Sequence, residues 1–307
     1  MKITFFEVVE NDVETIKDNF PEAQIVEEKL SLDNVEKFQD SEIICIFIYS
    51  KIDKQILDKL PNLKLVITRS AGFDHIDIKE CEKRGNKFCN VPDYGSHVIA
   101  EHVFALMLSS LRNVVKGEER TNALDFDWYG LRGVSLKNKV LGIVGMGKIG
   151  SHVARIASLG FQMKVIAFDL HPNEELAKKY NFEYVSFDEL LEQSDIITLH
   201  CPLNCHTEHM INRETIAKMK DGVSIINTSR GGILNTEDVL DAVKSGRISH
   251  LALDVLEDEQ NIEENKEIMT YPNIIITPHI AFYSDDSVKK MYSESFRMIN
   301  EFLEENK

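Results

Sequence analysis

Val140-Leu141-Gly142-Ile143-Val144-Gly145-Met146-Gly147-Lys148-Ile149-Gly150 is the stretch that decides the fold. Five apolar residues read as a buried strand, three glycines at G-x-G-x-x-G spacing as a turn, and the residues from Lys148 onward as the start of a helix. Gly145 permits the tight turn, Gly147 lets backbone approach a pyrophosphate, and Gly150 lets helix and strand pack closely. The helix N-terminus then offers its N–H groups and its dipole to the anion. The next strand, Lys164–Phe168, ends in Asp169, a carboxylate placed to accept hydrogen bonds from adenosine ribose hydroxyls and to repel a 2′-phosphate. The expected cofactor is therefore NAD rather than NADP.

Outward from this turn, strands and helices keep alternating. Toward the C-terminus, apolar runs at 196–200, Val223–Asn227, 251–255 and 274–277 have the composition of parallel strands covered on both faces. Between them Ser186 and Glu189 form a capping box, Asn235 caps a further helix, and Gly160 and Gly246 stand where helix-ending glycines belong. This is the pattern of an α/β, doubly wound parallel sheet of the Rossmann kind. Toward the N-terminus, 2–8, 43–48, 63–68 and Lys87–Asn90 read as strands with helical periods between them, as over 53–60. That is a smaller βα module. Pro92 breaks the chain, Ser96 is read as an N-cap, and a helix over 97–120 with Val98, Val103, Leu106, Leu111 and Val114 on its apolar face connects the modules. A last helix over 287–303 is expected to return to the first module. The boundaries are set at 1–98 with 282–307 for one domain and 99–281 for the other, consistent with two domains in 307 residues.

Composition narrows the function. The net charge is −16 and no Lys/Arg stripe is long enough to neutralise several phosphates, which argues against nucleic acid and anionic membrane as partners. The opening apolar run turns acidic at Glu10 and Asp12, too soon for a secretory core, and no stretch of ~20 apolar residues suits a membrane span. Cys45, Cys81, Cys89, Cys201 and Cys205 are odd in number with no CxxC pair. A cytoplasmic location is expected.

Three further strand ends each carry a polar residue that the fold does not require: Arg230, Glu259 and His279. Parallel strands bring their carboxyl ends to one edge, where ligands bind in open α/β sheets. A histidine with a carboxylate neighbour suits proton transfer to a carbonyl, since the carboxylate fixes the tautomer and favours the charged ring. A guanidinium beside them suits a carboxylate and a keto oxygen. Taken singly, each also reads as an ordinary loop or surface residue.

Together these residues carry a resemblance that spans nearly the whole chain. The stretches 144–150, Ile226-Asn227-Thr228-Ser229-Arg230-Gly231-Gly232, Leu253-Asp254-Val255-Leu256-Glu257-Asp258-Glu259 and Thr277-Pro278-His279-Ile280-Ala281 resemble the D-isomer-specific 2-hydroxyacid dehydrogenase family. The resemblance implies a Rossmann NAD-binding domain and a flavodoxin-like substrate domain. It implies that His279 is the general acid/base, Glu259 its partner and Arg230 the substrate-binding arginine, with Asp254 orienting the nicotinamide carboxamide. His200, Cys201 and Pro202 at a strand end, Thr207 in the loop beyond and Thr228 join Gly145, Gly147, Lys148, Ile149, Gly150 and Asp169 as cofactor contacts. Ser70-Ala71-Gly72-Phe73-Asp74-His75 matches a turn whose N–H groups, at Ala71 and Gly72, serve the substrate carboxylate, with Tyr94 nearby. Phe282-Tyr283 after His279 resembles the D-lactate dehydrogenase branch, so pyruvate is the expected substrate. Hydroxypyruvate, glyoxylate, 2-ketoisocaproate, or a non-catalytic dinucleotide sensor remain alternatives. Trp128 lies in an arm that crosses to a partner subunit in relatives, so a homodimer is expected. His200, Cys201, Cys205, His206 and His209 superficially offer zinc ligands, but no metal is expected, because hydride transfer with an Arg/His pair needs none.

Overall fold

The computed structural model describes all 307 residues, which divide into two compact units, Met1–Tyr94 with Ser284–Lys307, and Gly95–Tyr283. The division falls ahead of the connecting helix, four residues before the expected 98/99 boundary. The reason is packing: the helix Ser96–Leu111 buries Ala100, Val103, Phe104, Met107 and Leu111 with Leu141, Ile143 and Val165 of the second unit. At the return, Phe282 and Tyr283 stay with the second unit and the last helix begins at Asp285 with Ser284 as its N-cap, in place of a boundary at 281/282.

The first unit is a parallel sheet of β1 (Ile3–Phe5), β2 (Gln24–Ile25), β3 (Ile43–Ile46), β4 (Leu65–Thr68) and β5 (Lys87–Asn90), in the order β2-β1-β3-β4-β5. That order is the flavodoxin-like one. The strands are too apolar to face water on either side, and β3 and β4 are buried along their whole length. The helix Asp285–Glu305 closes one face, setting Phe296 edge-on to Phe5 at 6.0 Å and to Phe20 at 5.4 Å.

The second unit is a seven-stranded parallel sheet of β6 (Val140–Val144), β7 (Lys164–Phe168), β8 (Phe182–Tyr184), β9 (Ile196–Leu199), β10 (Val223–Asn227), β11 (Ile248–Leu253) and β12 (Ile274–Ile276). Its order is β12-β11-β10-β9-β6-β7-β8, so the winding reverses between β6 and β9. At such a reversal the loops leaving the two strands part to opposite faces and open a crevice at the carboxyl edge.

The local rules held where their chemistry is strong. Ser186 and Glu189 form the expected capping box, Asn235 accepts from the Asp238 N–H, and Gly246 takes a φ of +77° at a helix end. They failed at three places. Gly160 ends a π turn with Gln162, not a glycine, taking the positive φ; Gly95 rather than Ser96 is the N-cap; and the expected helix over 97–120 breaks. The break is at Asn113, which adopts φ +52°, and a second helix, Val114–Asn122, leaves at 62°. Asparagine tolerates the left-handed region because its short amide side chain can bond locally. No single helix is long and apolar enough to cross a membrane.

Candidate active site

The glycine turn is built as its sequence demands. Gly145 has φ +96°, and a Cβ there would meet the His200 carbonyl carbon at 2.7 Å and the Cys201 nitrogen at 2.8 Å, so the loops after β6 and β9 touch through this glycine. A Cβ on Gly150 would collide with the Gly145 carbonyl oxygen, whereas one on Gly147 would point into open space. The helix Lys148–Arg155 starts immediately after Gly147, so its first N–H groups border that space. Asp169 accepts from the Met146 N–H at 2.6 Å and from the His171 N–H at 2.8 Å, which ties the end of β7 to the glycine turn. Its carboxylate retains lone pairs for ribose hydroxyls. Thr228, after β10, has a buried hydroxyl with no hydrogen-bond partner in the protein. An open space over Gly147, a helix start, an acid at the end of β7 and an orphan hydroxyl together fit NAD.

Cys201 and Thr207 take inward partners. The Cys201 thiol contacts the Met210 sulfur at 3.8 Å, and burial pushes its pKa up to about 11. Thr207 donates to the Pro202 carbonyl at 2.6 Å and accepts from the Asn204 N–H at 2.9 Å, so its side chain shapes the loop that carries Pro202. His200 bonds to the Thr198 hydroxyl at 2.9 Å, and His209 pairs with Glu257 at 2.5 Å. These partners pull the His/Cys cluster apart, and no three His, Cys, Asp or Glu side chains are arranged to hold a metal ion.

Burial pushes the His200 imidazole down to about 3 from 6.5. The unfolded chain therefore binds a proton below pH 6.5 that the folded chain refuses until about 3, so acid favours unfolding across that window. Replacement of His200 by Gln is expected to flatten the acid limb of stability measured by urea unfolding at several pH values. The ring keeps some surface open, so its contribution to the wild-type slope is expected below the one-proton limit of about 1.4 kcal/mol per pH unit. Parallel acid limbs for the two proteins would contradict this.

Arg230, Glu259 and His279 follow β10, β11 and β12, three adjacent parallel strands, and so share one edge of the sheet. His279 Nδ1 stands 2.9 Å from Glu259 Oε2 and 3.0 Å from Oε1. An ionised carboxylate only accepts, so Nδ1 carries the proton and Nε2 is left for other partners. Arg230 is set by its neighbours: Asn227 Nδ2 donates to its carbonyl at 2.9 Å, and its Nη1 donates to the Ser229 carbonyl at 2.8 Å. Behind it, a Cβ on Gly231 would fall onto the Leu256 carbonyl and the Glu257 nitrogen. The loop bearing Arg230 thus rests on the segment leading to Glu259. Gly231→Ala is expected to cost about 1–3 kcal/mol through forced overpacking, read as a lowered Tm, and to reduce kcat/KM as well. Wild-type melting and turnover together would overturn that expectation.

His279 itself adopts φ +53°, a conformation that costs a non-glycine residue free energy and persists only where its surroundings impose it. Asp254 imposes it. Its Oδ1 accepts from the Ile280 N–H at 2.9 Å and the Thr277 hydroxyl at 2.5 Å, its Oδ2 accepts from the Ala281 N–H at 2.8 Å, and its carbonyl accepts from the His279 N–H at 2.9 Å. Burial pushes the Asp254 carboxyl up, yet the bonds from His102, Thr277, Ala281 and Ile280 outweigh it and hold the group below the usual carboxylate range. The sequence reading assigned Asp254 only to the cofactor and missed this structural work.

In the first unit the Ala71–Gly72 turn is braced by side chains. Thr68 and Ser70 hydroxyls lie 2.7 Å apart, Ser70 donates to the Gly72 carbonyl at 2.6 Å, and Asn90 Nδ2 donates to the Ala71 carbonyl at 2.8 Å. Tyr94 is the buried last residue of that unit's first segment, and Phe282 lies edge-on to Tyr283 at 5.6 Å in the other unit. Arg69, which sequence reading passed over, is fully buried beside the turn and donates to the Phe6, Glu7 and Cys45 carbonyls, holding together the ends of β1 and β3.

A doubly wound sheet with this glycine turn, and a His/Glu pair and an arginine on one edge, defines an NAD-dependent oxidoreductase. Residues 104–281 match the NAD-binding domain of the D-isomer specific 2-hydroxyacid dehydrogenases, and the chain belongs to that family. It is similar to D-lactate dehydrogenase from Aquifex aeolicus in complex with NAD and lactic acid, at 36% identity and a TM-score of 0.92, covering 99% of this chain and 96% of the other. It is 37% identical over 278 residues to a 2-hydroxyacid dehydrogenase homolog of Zymomonas mobilis, covering 86% of this chain and 84% of that protein. An aromatic 2-oxoacid reductase of Clostridium sporogenes is 39% identical over 265 residues, covering 81% and 79%.

Proposed function

We propose that this enzyme reduces pyruvate to D-lactate. The observation that carries the reading is the His279/Glu259 pair on the edge shared with Arg230, in a chain similar along nearly its full length to a D-lactate dehydrogenase. NADH, when bound, supplies the hydride. It would lie along the Gly145–Gly150 turn, with Lys148 and Ile149 at the helix start, Asp169 toward the ribose, and His200, Cys201, Pro202, Thr207, Thr228 and Asp254 at the strand ends beyond.

The chain's own residues do the rest. Arg230 binds the substrate carboxylate and polarises the keto oxygen, because a guanidinium presents paired donors to paired oxygens. The Ala71–Gly72 turn of the first unit is proposed as a source of backbone N–H donors for a carboxylate. His279, protonated and with Nδ1 fixed on Glu259, gives the Nε2 proton to the keto oxygen; in the oxidation direction it takes that proton back. Phe282, three residues after His279, limits the substrate side chain to a short apolar group.

The likeness to the aromatic 2-oxoacid reductase supports a second reading, in which phenylpyruvate is the preferred acid. Steady-state NADH oxidation with pyruvate, 2-ketobutyrate, 2-ketoisocaproate, phenylpyruvate, hydroxypyruvate and glyoxylate separates the two. The highest kcat/KM on pyruvate supports the first; preference for phenylpyruvate moves the substrate and retains the mechanism.

Leu124, Phe126, Trp128 and Tyr129 leave an apolar arm in solvent, with Leu124 and Phe126 over 90% exposed, and a second copy of the chain is its proposed cover. Light scattering of the purified protein is expected to give a dimer mass, and a monomer mass at micromolar concentration would count against it. Five free thiols suit a reducing cytoplasm.

A further inference from the structure

The bonds that hold the His279 turn extend past Asp254 to a residue on a different element. His102 lies on the helix Ser96–Leu111, and its Nε2 is 3.0 Å from Thr277 Oγ1 and 3.5 Å from Asp254 Oδ1. Thr277 has one hydroxyl proton, and at 2.5 Å it goes to Asp254 Oδ1, since an ionised carboxylate has none to give. The Thr277 oxygen can then only accept from His102. The proton of His102 is thereby assigned to Nε2, and the direction of the chain is His102 to Thr277 to Asp254.

Asp254 is the hub of this arrangement. It grips Thr277 on one side of His279 and the Ile280 and Ala281 N–H groups on the other, which is how a left-handed backbone at His279 is sustained. The sheet supplies Asp254 and Thr277, but His102 is the donor that comes from outside it. Without that donor the Thr277 oxygen loses its partner, and the Thr277 and Asp254 side chains are free to rotate away from the geometry that clasps the turn.

We propose that His102 is a positioning residue for the proton-transfer step, acting through Thr277 and Asp254 to hold the turn that presents His279. This rests on the reading of His279 as the proton donor. A misplacement of the donor by a fraction of an ångström is enough to slow transfer while leaving substrate affinity in place. The role differs from that of a packed core histidine, for which any side chain of similar size and shape would serve.

The test compares His102→Leu, His102→Gln and Thr277→Val in the full-length protein. Leucine fills the space without a donor; glutamine can place an amide N–H near the position of Nε2. His102→Leu is expected to lower kcat ~10-fold while KM for NADH and for the best 2-keto acid stay within ~2-fold, and His102→Gln to recover most of the loss. The His102→Leu/Thr277→Val pair is expected to be no slower than the worse single variant, because both cut one chain. Equal losses in the Leu and Gln variants, a Leu variant as fast as wild type, or losses that multiply in the pair would each overturn the proposal. If the Leu variant fails to fold, the Gln and Val variants still decide between these outcomes. Imidazole nitrogen NMR of the wild type reads the tautomer without turnover: Nε2–H at His102 supports the chain, and Nδ1–H refutes it. A wild type silent on every 2-keto acid would remove the reading of His279 itself, whereas variants matching an active wild type defeat the role of His102 alone.

Discussion

His279→Ala lowers kcat by ~10²-fold or more, the usual worth of a positioned general acid, with little change in the dissociation constant for NADH. The expectation follows from the geometry at Nδ1. Glu259 Oε2 accepts the hydrogen bond from Nδ1–H at 2.9 Å, which gives the ring one orientation and leaves Nε2 as the proposed proton donor. Alanine removes the proton donor and leaves Glu259 without its imidazole, so the residual rate reflects binding and polarisation by the remaining groups. The loss is expected in kcat and kcat/KM together, as for an interaction made in the transition state. Stopped-flow and steady-state NADH oxidation read both, and near-normal turnover would refute the assignment.

Arg230→Ala is expected to act on the other half of the site. Two charge-assisted bonds to a carboxylate, at about 1.5–3 kcal/mol each, correspond to a loss of roughly 10²- to 10⁴-fold in kcat/KM for the keto acid. NADH affinity, measured by fluorescence titration, should hardly move. Arg230→Lys should recover only part of the loss, since an ammonium cannot present the planar fork that the carboxylate pairs with. A lysine variant at the wild-type rate would show that Arg230 contributes charge alone. The Asn227 bond to the Arg230 carbonyl survives in both variants and the guanidinium bond to the Ser229 carbonyl is lost in both, so their unfolding curves should lie close together.

Much of the second unit was legible because its signals are local. The glycine turn, the capping box at Ser186 and the apolar strands each lie within one short stretch, and their physics needs nothing from the rest of the chain. The order of the strand ends was enough to bring Arg230, Glu259 and His279 to one edge, since parallel strands share a direction. Edge strands were missed: β2 has two residues and β8 three, too few for a period to register. The break at Asn113 was missed because the apolar spacing continues across it while one backbone conformation changes. Arg69 was passed over because a polar residue after a strand reads as a boundary, and only the assembled sheet reveals the carbonyls it closes. The bonds linking His102, Thr277 and Asp254 were illegible for another reason. The first two residues are 175 positions apart, and nothing local to either marks the other.

Those distant contacts explain how an unfavourable backbone at His279 coexists with a regular sheet. The strands fix where the loops begin; the side chain of Asp254 fixes how one of them turns. The apolar core supplies the frame, Asp254 and Thr277 hold the His279 turn, and Glu259 holds its ring.

The most direct test of the account is chiral analysis of the product formed from pyruvate and NADH by the purified wild-type protein. D-lactate in stoichiometric balance with the NADH consumed is the expected result, and L-lactate, or no lactate with pyruvate in excess, would contradict it.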